Sequence, residues 1–133
     1  MVRFGREAGD GAIYAIDPFT GEKAWSNRMH HVSDSGLLTT ASDLLFSGNR
    51  EGHFFALDAK TGKLLWRRLL GGQVAASPIT YLVDGTQHVS IASGSSLFTF
   101  ALHKIEVLTA TSNSRRNLES MLFALVLFLR LNR

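Results

Sequence analysis

Two adjacent histidines, His30 and His31, are candidate metal-binding side chains in this 133-residue chain. Imidazole nitrogens are common metal ligands, so the pair suggests a metal site. Neighbouring residues on a strand point to opposite faces, however, and no third ligand is spaced nearby. We therefore expect the pair to lie in a surface loop and predict no metal ligand in the chain.

Two aspartates, Asp17 and Asp58, are candidates for paired acid and base groups. They lie 41 residues apart, and each is followed by Thr-Gly at the same spacing. An aspartate after a strand commonly accepts N–H bonds from the turn that follows, and this role explains both residues. We therefore predict no catalytic residue in this chain.

Glycine-rich segments at 71–72 and 94–96 could cradle a phosphate group. A phosphate-binding loop opens a helix and, in one common form, ends in Lys-Ser or Lys-Thr, and neither segment has these features. The chain also contains no cysteine, which excludes disulfides, thiolate metal sites and a cysteine nucleophile. Both glycine segments are expected to be turns.

An internal repeat of 41 residues accounts for these patterns. Residues 11–25 align with residues 52–66, and six of the fifteen aligned pairs are identical. The identical pairs are Gly11/Gly52, Ala15/Ala56, Asp17/Asp58, Thr20/Thr61, Gly21/Gly62 and Trp25/Trp66. A period near 40 with strand-like units is typical of β-propeller blades. Because a large ring recurs at one place in the repeat, we predict that each tryptophan wedges between neighbouring blades.

Nine short strands are predicted before residue 103, bounded by Gly, Asp, Asn and Ser. Their ranges are 11–17, 22–28, 37–41, 44–48, 52–58, 63–69, 77–82, 86–92 and 97–102. The predicted fold class is all-β, a partial β-propeller of about two blades of four antiparallel strands with a short C-terminal helix. Grouped by the repeat, the strands begin and end within a blade, so unpaired edges are expected.

The tail, residues 103–133, has no match to the repeat, and we treat residues 1–102 as the propeller part. Nine consecutive apolar residues, 121–129, predict an apolar helix over about 116–131. A membrane-spanning helix needs about 20 apolar residues, so this one is expected to cover an exposed sheet edge or face, with lipid contact as the less favoured alternative. The first residues lack the apolar core of a secretory signal, so we expect no export signal within this chain.

The net charge of +3 originates in the tail. Residues 1–102 contain nine Lys or Arg and nine Asp or Glu, whereas residues 103–133 contain five and two. Binding to nucleic-acid phosphates needs clustered cations, and the propeller part has no such cluster. We therefore predict no nucleic-acid partner.

Four segments resemble, in order and spacing, the C-terminal end of PQQ-dependent (quinoprotein) alcohol dehydrogenases. They are residues 36–48, 52–66, 76–81 and 84–89, and the resemblance extends over residues 9–102. It implies an eight-bladed propeller that holds pyrroloquinoline quinone (PQQ) and calcium on its axis. It also implies oxidation of alcohols or sugars in the periplasm.

The resemblance further implies which residues approach the cofactor. They correspond to Asp34, Ser35 and Gly36, before the third predicted strand, and to Gly94 and Ser95, after the eighth. The chain departs from the family by having an aspartate where an aromatic residue is frequent, and Ser-Leu-Phe where methanol-oxidising members end in Gly-Gly-Trp. The family's metal ligands, catalytic aspartate and vicinal cysteines lie in blades that precede the matched ones.

Three interpretations follow. In the first, the chain is part of a PQQ-dependent alcohol or sugar dehydrogenase-like propeller, is inactive alone and is not expected to bind PQQ or calcium tightly. The second is a non-enzymatic interaction scaffold similar to outer-membrane assembly lipoproteins. The third is self-association of several copies into a closed ring. The expected partners are accordingly further blades or copies of this chain.

Overall fold

The computed structural model describes residues 11–30, 33–104 and 121–130. Their backbone forms ten strands and contains no helix. The strands are β1 (Gly11–Ile16), β2 (Lys23–Met29), β3 (Leu38–Thr39), β4 (Leu44–Gly48), β5 (His53–Asp58), β6 (Leu64–Leu69), β7 (Ile79–Val83), β8 (Thr86–Ser93), β9 (Ser96–Lys104) and β10 (Met121–Arg130). All nine predicted strands are confirmed, with β3 shorter than expected and β9 longer.

The strands form three antiparallel sheets in chain order. Sheet 1 contains β1 and β2, sheet 2 contains β3 to β6, and sheet 3 contains β7 to β10, each strand pairing with its neighbour in sequence. Successive up-and-down sheets of this kind are the building plan of propeller blades. The predicted all-β, propeller-type fold is confirmed.

The turns that follow β1 and β5 are built alike. Asp17 Oδ1 accepts the amides of Phe19 and Thr20, at 2.8 and 3.1 Å. Asp58 Oδ1 accepts the amides two and three residues further on, at 2.9 and 2.8 Å. The glycines that close these turns, Gly21 and Gly62, have φ of 72° and 71°, a conformation that L-residues adopt only at a cost. The predicted turn function of both aspartates is confirmed.

Sheets 1 and 2 pack through a small apolar core. Its buried members are Ile13, Leu45, Phe55 and Leu57, and Trp25, Met29 and Ala59 pack against them. Trp25 Nε1 donates to the carbonyl oxygen of Ala59 at 3.0 Å. A Cβ atom added to Gly62 would lie 2.7 Å from Cδ2 of the Trp25 indole, so only glycine fits beneath that ring. Trp25 therefore wedges between two sheets, as predicted.

Sheets 2 and 3 share a larger core. Its buried members are Leu44, Phe46, Phe54, Ala56, Val74, Val89, Ile91, Phe98, Phe100 and Leu102. Trp66 packs against this core and meets Phe100 edge-on, with ring centres 5.1 Å apart, and Phe54 at 6.0 Å. The second tryptophan thus fills the equivalent place one repeat later.

The backbone of residues 121–130 differs from the predicted helix. It forms β10, which pairs antiparallel with β9 from Met121 opposite Lys104 to Arg130 opposite Ser96, with a register shift after Phe123. An uninterrupted apolar run does not distinguish a short helix from a strand, and the edge of β9 offers backbone groups that a strand can pair. The outer place in sheet 3 is therefore taken by this chain. Residues 116–120 and 131 of the predicted helix lie outside the described residues.

Within the ranges described above, no helix has the length and apolar character needed to cross a membrane.

Candidate functional site

A serine cluster fixes the loop before β3, where three of the predicted cofactor-facing residues lie. Ser35 Oγ donates to the carbonyl oxygen of Ala76 at 2.8 Å and accepts the amide of Gly48 at 3.1 Å. The Ser35 amide donates to Ser33 Oγ at 3.1 Å, and Ser33 Oγ donates to the Gly48 carbonyl oxygen. The loop is therefore tied both to β4 of its own sheet and to the segment that leads into sheet 3.

Gly36 is held by close packing. A Cβ atom there would lie 2.7 Å from Cβ of Ser77, and its carbonyl oxygen accepts a hydrogen bond from the buried Ser47 Oγ at 3.2 Å. Ser77 is the residue one repeat after Gly36, so the two equivalent loops touch each other. The absence of a side chain at Gly36 is explained by this contact between sheets.

Asp34 forms an exposed ion pair. Its Oδ2 lies 2.7 Å from both Nε and Nη2 of Arg50, so two guanidinium nitrogens face one carboxylate oxygen. A pair of this kind at the surface contributes at most about 1 kcal/mol to stability. The Asp34 carboxylate therefore has a partner within its own sheet.

Gly94 and Ser95 lie in the turn between β8 and β9. The amide of Gly94 donates to the carbonyl oxygen of Gln73 at 3.0 Å, and Ser93 Oγ donates to that of Gly72 at 2.6 Å. Ser95 is exposed in the same turn. These bonds hold the β8–β9 turn against the segment that joins sheets 2 and 3, residues 70–78, which we call the linker. The turn and the linker together form one continuous surface.

An open cleft of about 300 Å³ lies against that surface. Its lining residues are Gln73, Ala75, Ala76, Ala92 and Gly94. Ala76 is the residue whose carbonyl oxygen accepts the hydrogen bond from Ser35. The structure thus places Gly94 at the cleft and Ser35 directly behind it, whereas Asp34 is paired with Arg50.

Sequence reasoning missed the linker itself. Val74 is fully buried, and its amide donates to the carbonyl oxygen of Asn49 at 3.1 Å. Gly48 is needed beside it, because a Cβ atom there would come within 2.6 Å of Val74 Cβ. The apolar Val-Ala-Ala stretch after the glycine pair was the available signal, but nothing in it showed which sheet it would face.

The remaining motifs do not gather at the cleft. His30 is exposed at the end of β2, and His31 lies outside the described residues. Where the structure describes side chains, no three His, Asp or Glu residues approach one another closely enough to hold a metal ion. Asp84 and Gly85 form the predicted tight hairpin between β7 and β8, with φ of 48° and 76°.

Two shifted pKa values belong to the turn after β5. Hydrogen bonds from the backbone amide and the hydroxyl of Thr61 hold the pKa of the Asp58 carboxyl below its ordinary value. Lys60 Nζ donates a hydrogen bond to Asp43 Oδ2, 2.6 Å away, and this bond together with the charge attraction between the two groups raises the pKa of Lys60. Both shifts favour the charged form of a group in a structural turn. Neither Asp58 nor Lys60 lines the cleft.

Comparison with known proteins places these sheets in a family. Residues 9–117 match the PQQ_2 family model, described as "Outer membrane protein assembly factor BamB". The quinoprotein alcohol dehydrogenase PedH of Pseudomonas putida is 40% identical over 84 residues, which cover 63% of this chain and 14% of that protein. The quinohemoprotein alcohol dehydrogenase of Comamonas testosteroni is 44% identical over 86 residues, or 63% of this chain and 12% of the relative. The chain thus spans only about one seventh of the length of such relatives.

Solved structures give the same assignment. A europium-containing methanol dehydrogenase superposes with a TM-score of 0.63 and 38% identity over 68% of this chain and 16% of its own. BamB from Moraxella catarrhalis superposes with a TM-score of 0.56 at 24% identity, over 68% of this chain and 27% of its own, which shows a shared fold alone. Since the family model covers most of the sequence, this chain belongs to the PQQ_2 family of quinoprotein-type β-propellers.

Proposed function

We propose that this chain supplies adjoining blades of a quinoprotein alcohol dehydrogenase-like propeller and contributes a wall of its cofactor cavity. The observation that carries the proposal is the cleft beside Ala76 and Gly94, in a chain of which 84 residues are 40% identical to such an enzyme. Ser35 and Gly36 position that wall through contacts between successive repeats. The substrate class of the complete assembly would be alcohols or sugars.

The described residues do not by themselves fit PQQ or its metal ion. PQQ carries three carboxylates, and burying such charges requires cationic partners or many hydrogen-bond donors. The cleft is lined by one amide side chain, three alanines and a glycine. None of these lining residues is cationic. We therefore derive no oxidation step on this chain and propose that it is inactive alone.

The experiment is a reconstitution of the purified chain with PQQ and calcium, and in parallel with PQQ and a lanthanide. We expect no dye-linked oxidation of ethanol and no saturable change in PQQ absorbance. A full-length quinoprotein alcohol dehydrogenase, stripped of metal and reloaded in the same buffer, is the positive control. Turnover above the level of the protein-free mixture would contradict the proposal.

A second candidate, a non-enzymatic scaffold, is favoured by the description of the matching family model as an outer-membrane assembly factor. Blade edges and faces would then bind protein partners without a cofactor. The two candidates differ in cells, since a scaffold would co-purify with an envelope protein whether or not the strain can make PQQ. We propose a periplasmic location for both, which fractionation of cells expressing the tagged protein would test.

Self-association and membrane contact remain subordinate proposals. Copies of the chain that close a ring would give a discrete oligomer by light scattering, independent of any added ligand. If the apolar tail contacts lipid, the protein should sediment with neutral vesicles. Deletion of residues 116–131 should then abolish this co-sedimentation. No nucleic-acid partner is proposed, because the propeller part has equal numbers of acidic and basic residues.

A further inference from the structure

The outer strand of sheet 2, β6, is an open edge. Its backbone pairs with β5 on one side and with no described strand on the other. Leu70, just after β6, donates its amide to the carbonyl oxygen of Gly52, just before β5, at 2.8 Å. Because inward and outward groups alternate along an antiparallel ladder, the backbone groups of Arg67 and Leu69 face away from β5. These two residues therefore offer donors and acceptors to a further strand.

The side chains along this edge are apolar and cationic. Leu64, Leu65 and Leu69 are 46%, 40% and 62% exposed. Arg67 and Arg68 are exposed as well. Among the side chains that the structure describes, no carboxylate pairs with either guanidinium group. The edge thus combines three leucines with two positive charges.

The two arginines lie on opposite faces of this edge. Arg67 is directly opposite Phe55, which belongs to the core shared with sheet 1. Arg68 is directly opposite Phe54, which belongs to the core shared with sheet 3. Residues paired across an antiparallel ladder point to the same face. A strand beside β6 would therefore meet one guanidinium group on each face, at two consecutive residues of its own.

The exposure of β6 does not depend on further blades. Sheet 1 on one side and sheet 3 on the other are both described, including their outer strands β2 and β10. Blades of a propeller are arranged radially, so their outer strands lie at the rim of the ring. The edge of β6 faces outwards there, whichever blades complete the ring.

Sheet 1 provides an internal comparison. The repeat aligns the two arginines and three leucines of β6 with small, polar or charged residues of β2. These residues are Lys23, Ala24, Ser26, Asn27 and Arg28. Charges on an edge strand are explained by keeping sheet edges apart, which accounts for the arginines. Three exposed leucines are not explained in this way, so β6 carries a surface that the repeat does not require.

We propose that β6 binds an extended segment of another protein as an added strand, through two consecutive acidic residues flanked by apolar ones. The backbone groups of Arg67 and Leu69 supply the ladder. The guanidinium groups of Arg67 and Arg68 pair with the two carboxylates, and the leucines contact the flanking apolar side chains. The inference is independent of PQQ binding and of which candidate function is correct.

A second copy of this chain is a poorer occupant. The ladder has to use the outward-facing backbone groups of Arg67 and Leu69. Antiparallel pairing of β6 with itself, centred on Arg67 or on Arg68, sets two guanidinium groups directly opposite each other. Like charges in that position are destabilising. The charge of the edge therefore favours an acidic partner over another copy.

The probe is a fluorescein-labelled synthetic peptide with the core Val-Glu-Glu-Val, titrated with the full chain and followed by fluorescence anisotropy. We expect saturable binding that added salt weakens. The double variant Arg67→Glu, Arg68→Glu should bind it roughly tenfold more weakly and should instead bind the matched Val-Lys-Lys-Val peptide. Arg28→Glu, the same change on the exposed edge of β2, is the control and should leave binding unchanged.

Amide hydrogen exchange locates the bound peptide. Binding should slow exchange at the amides of Arg67 and Leu69, which face outwards. It should change exchange little at Arg68, whose amide faces β5. The same peptide N-methylated at alternate amides cannot complete the ladder and should bind more weakly.

Four results would overturn the proposal. The first is no saturable binding, or binding that the double charge reversal leaves unchanged. The second is slowed exchange only at amides outside β6. The third is sedimentation with anionic vesicles that depends on both arginines in a chain that does not bind the peptide, which would identify a lipid-headgroup surface. The fourth is a dimer in which the Arg67 amide is already protected. The outcome of the PQQ reconstitution affects none of these readouts.

Discussion

Replacing Trp66 with alanine should remove the wedge that joins sheets 2 and 3. The indole is partly buried against their shared core and meets two aromatic rings edge-on, those of Phe100 at 5.1 Å and Phe54 at 6.0 Å. Alanine would leave a cavity beside the apolar core that these two sheets share. The variant therefore tests whether the repeated tryptophan holds blades together.

The expected loss in free energy of unfolding follows from the area that the indole buries. An indole buries up to about 200 Å², and roughly half of that for a partly buried ring corresponds to about 2.5 kcal/mol at 25 cal/mol per Å². Two edge-on aromatic contacts add about 0.5–1.5 kcal/mol each. The sum, about 3.5–5.5 kcal/mol, overlaps the range of about 3–5 kcal/mol measured for large aromatic-to-alanine changes in cores. We expect a loss of about 3–5 kcal/mol.

The assay is urea unfolding followed by circular dichroism. Phe19→Ala is the matched control, because Phe19 is 96% exposed in the turn after β1, and its replacement should change stability by less than about 0.5 kcal/mol. Trp66→Phe keeps an aromatic ring between the sheets, so we expect it to fold even where Trp66→Ala is too unstable to measure. If Trp66→Ala lowers the free energy of unfolding by less than about 1 kcal/mol, the indole does not hold the two sheets together.

Two further predictions concern the repeated turn. Gly62→Ala should cost more than Gly85→Ala, since both have positive φ, of 71° and 76°, but only the first meets the ring of Trp25; urea midpoints of the two variants would show the difference. The lowered pKa of Asp58 means that its charge stabilises the fold above the ordinary carboxyl pKa and that this contribution is lost as pH falls through the folded value. Asp58→Asn should therefore be less stable than the parent at pH 7 and converge with it in acid, and parallel stability–pH curves would contradict this reasoning.

Much of the fold could be predicted because it is encoded locally. The Asp-to-Gly turn needs only an acceptor, a hydroxyl and a residue tolerant of positive φ within five positions, so the 41-residue repeat showed it directly. The strand ranges followed from the turn-forming residues between them, and the predicted bounds of β4, 44–48, are those of the structure.

The tail shows where local reasoning leaves the secondary structure open. Nine apolar residues are compatible with a helix or with a strand, and the choice depends on what lies beside them. In the structure the neighbour is the edge of β9, which pairs with residues 121–130. Nothing in the tail's own sequence specifies that edge.

Contact of the predicted site residues with a cofactor stays a prediction. The resemblance indicated Ser35, Gly36 and Gly94, and the structure places them around one cleft and its supporting loop. It did not indicate that Ser35 would bind the carbonyl group of Ala76, since that contact joins residues 41 positions apart. Asp34, predicted with them, forms its ion pair with Arg50.

The sequence by itself determined the repeating unit, since turn geometry, strand alternation and the recurring tryptophan all act over short distances along the chain. Only the tertiary structure decided which faces are covered. Gly62 and Gly21 occupy the same place in the repeat and differ by one degree in φ, yet one lies under an indole ring and the other is exposed. The physical reason is that burial depends on the next sheet in space, and a repeat describes each unit without stating how many neighbours it has.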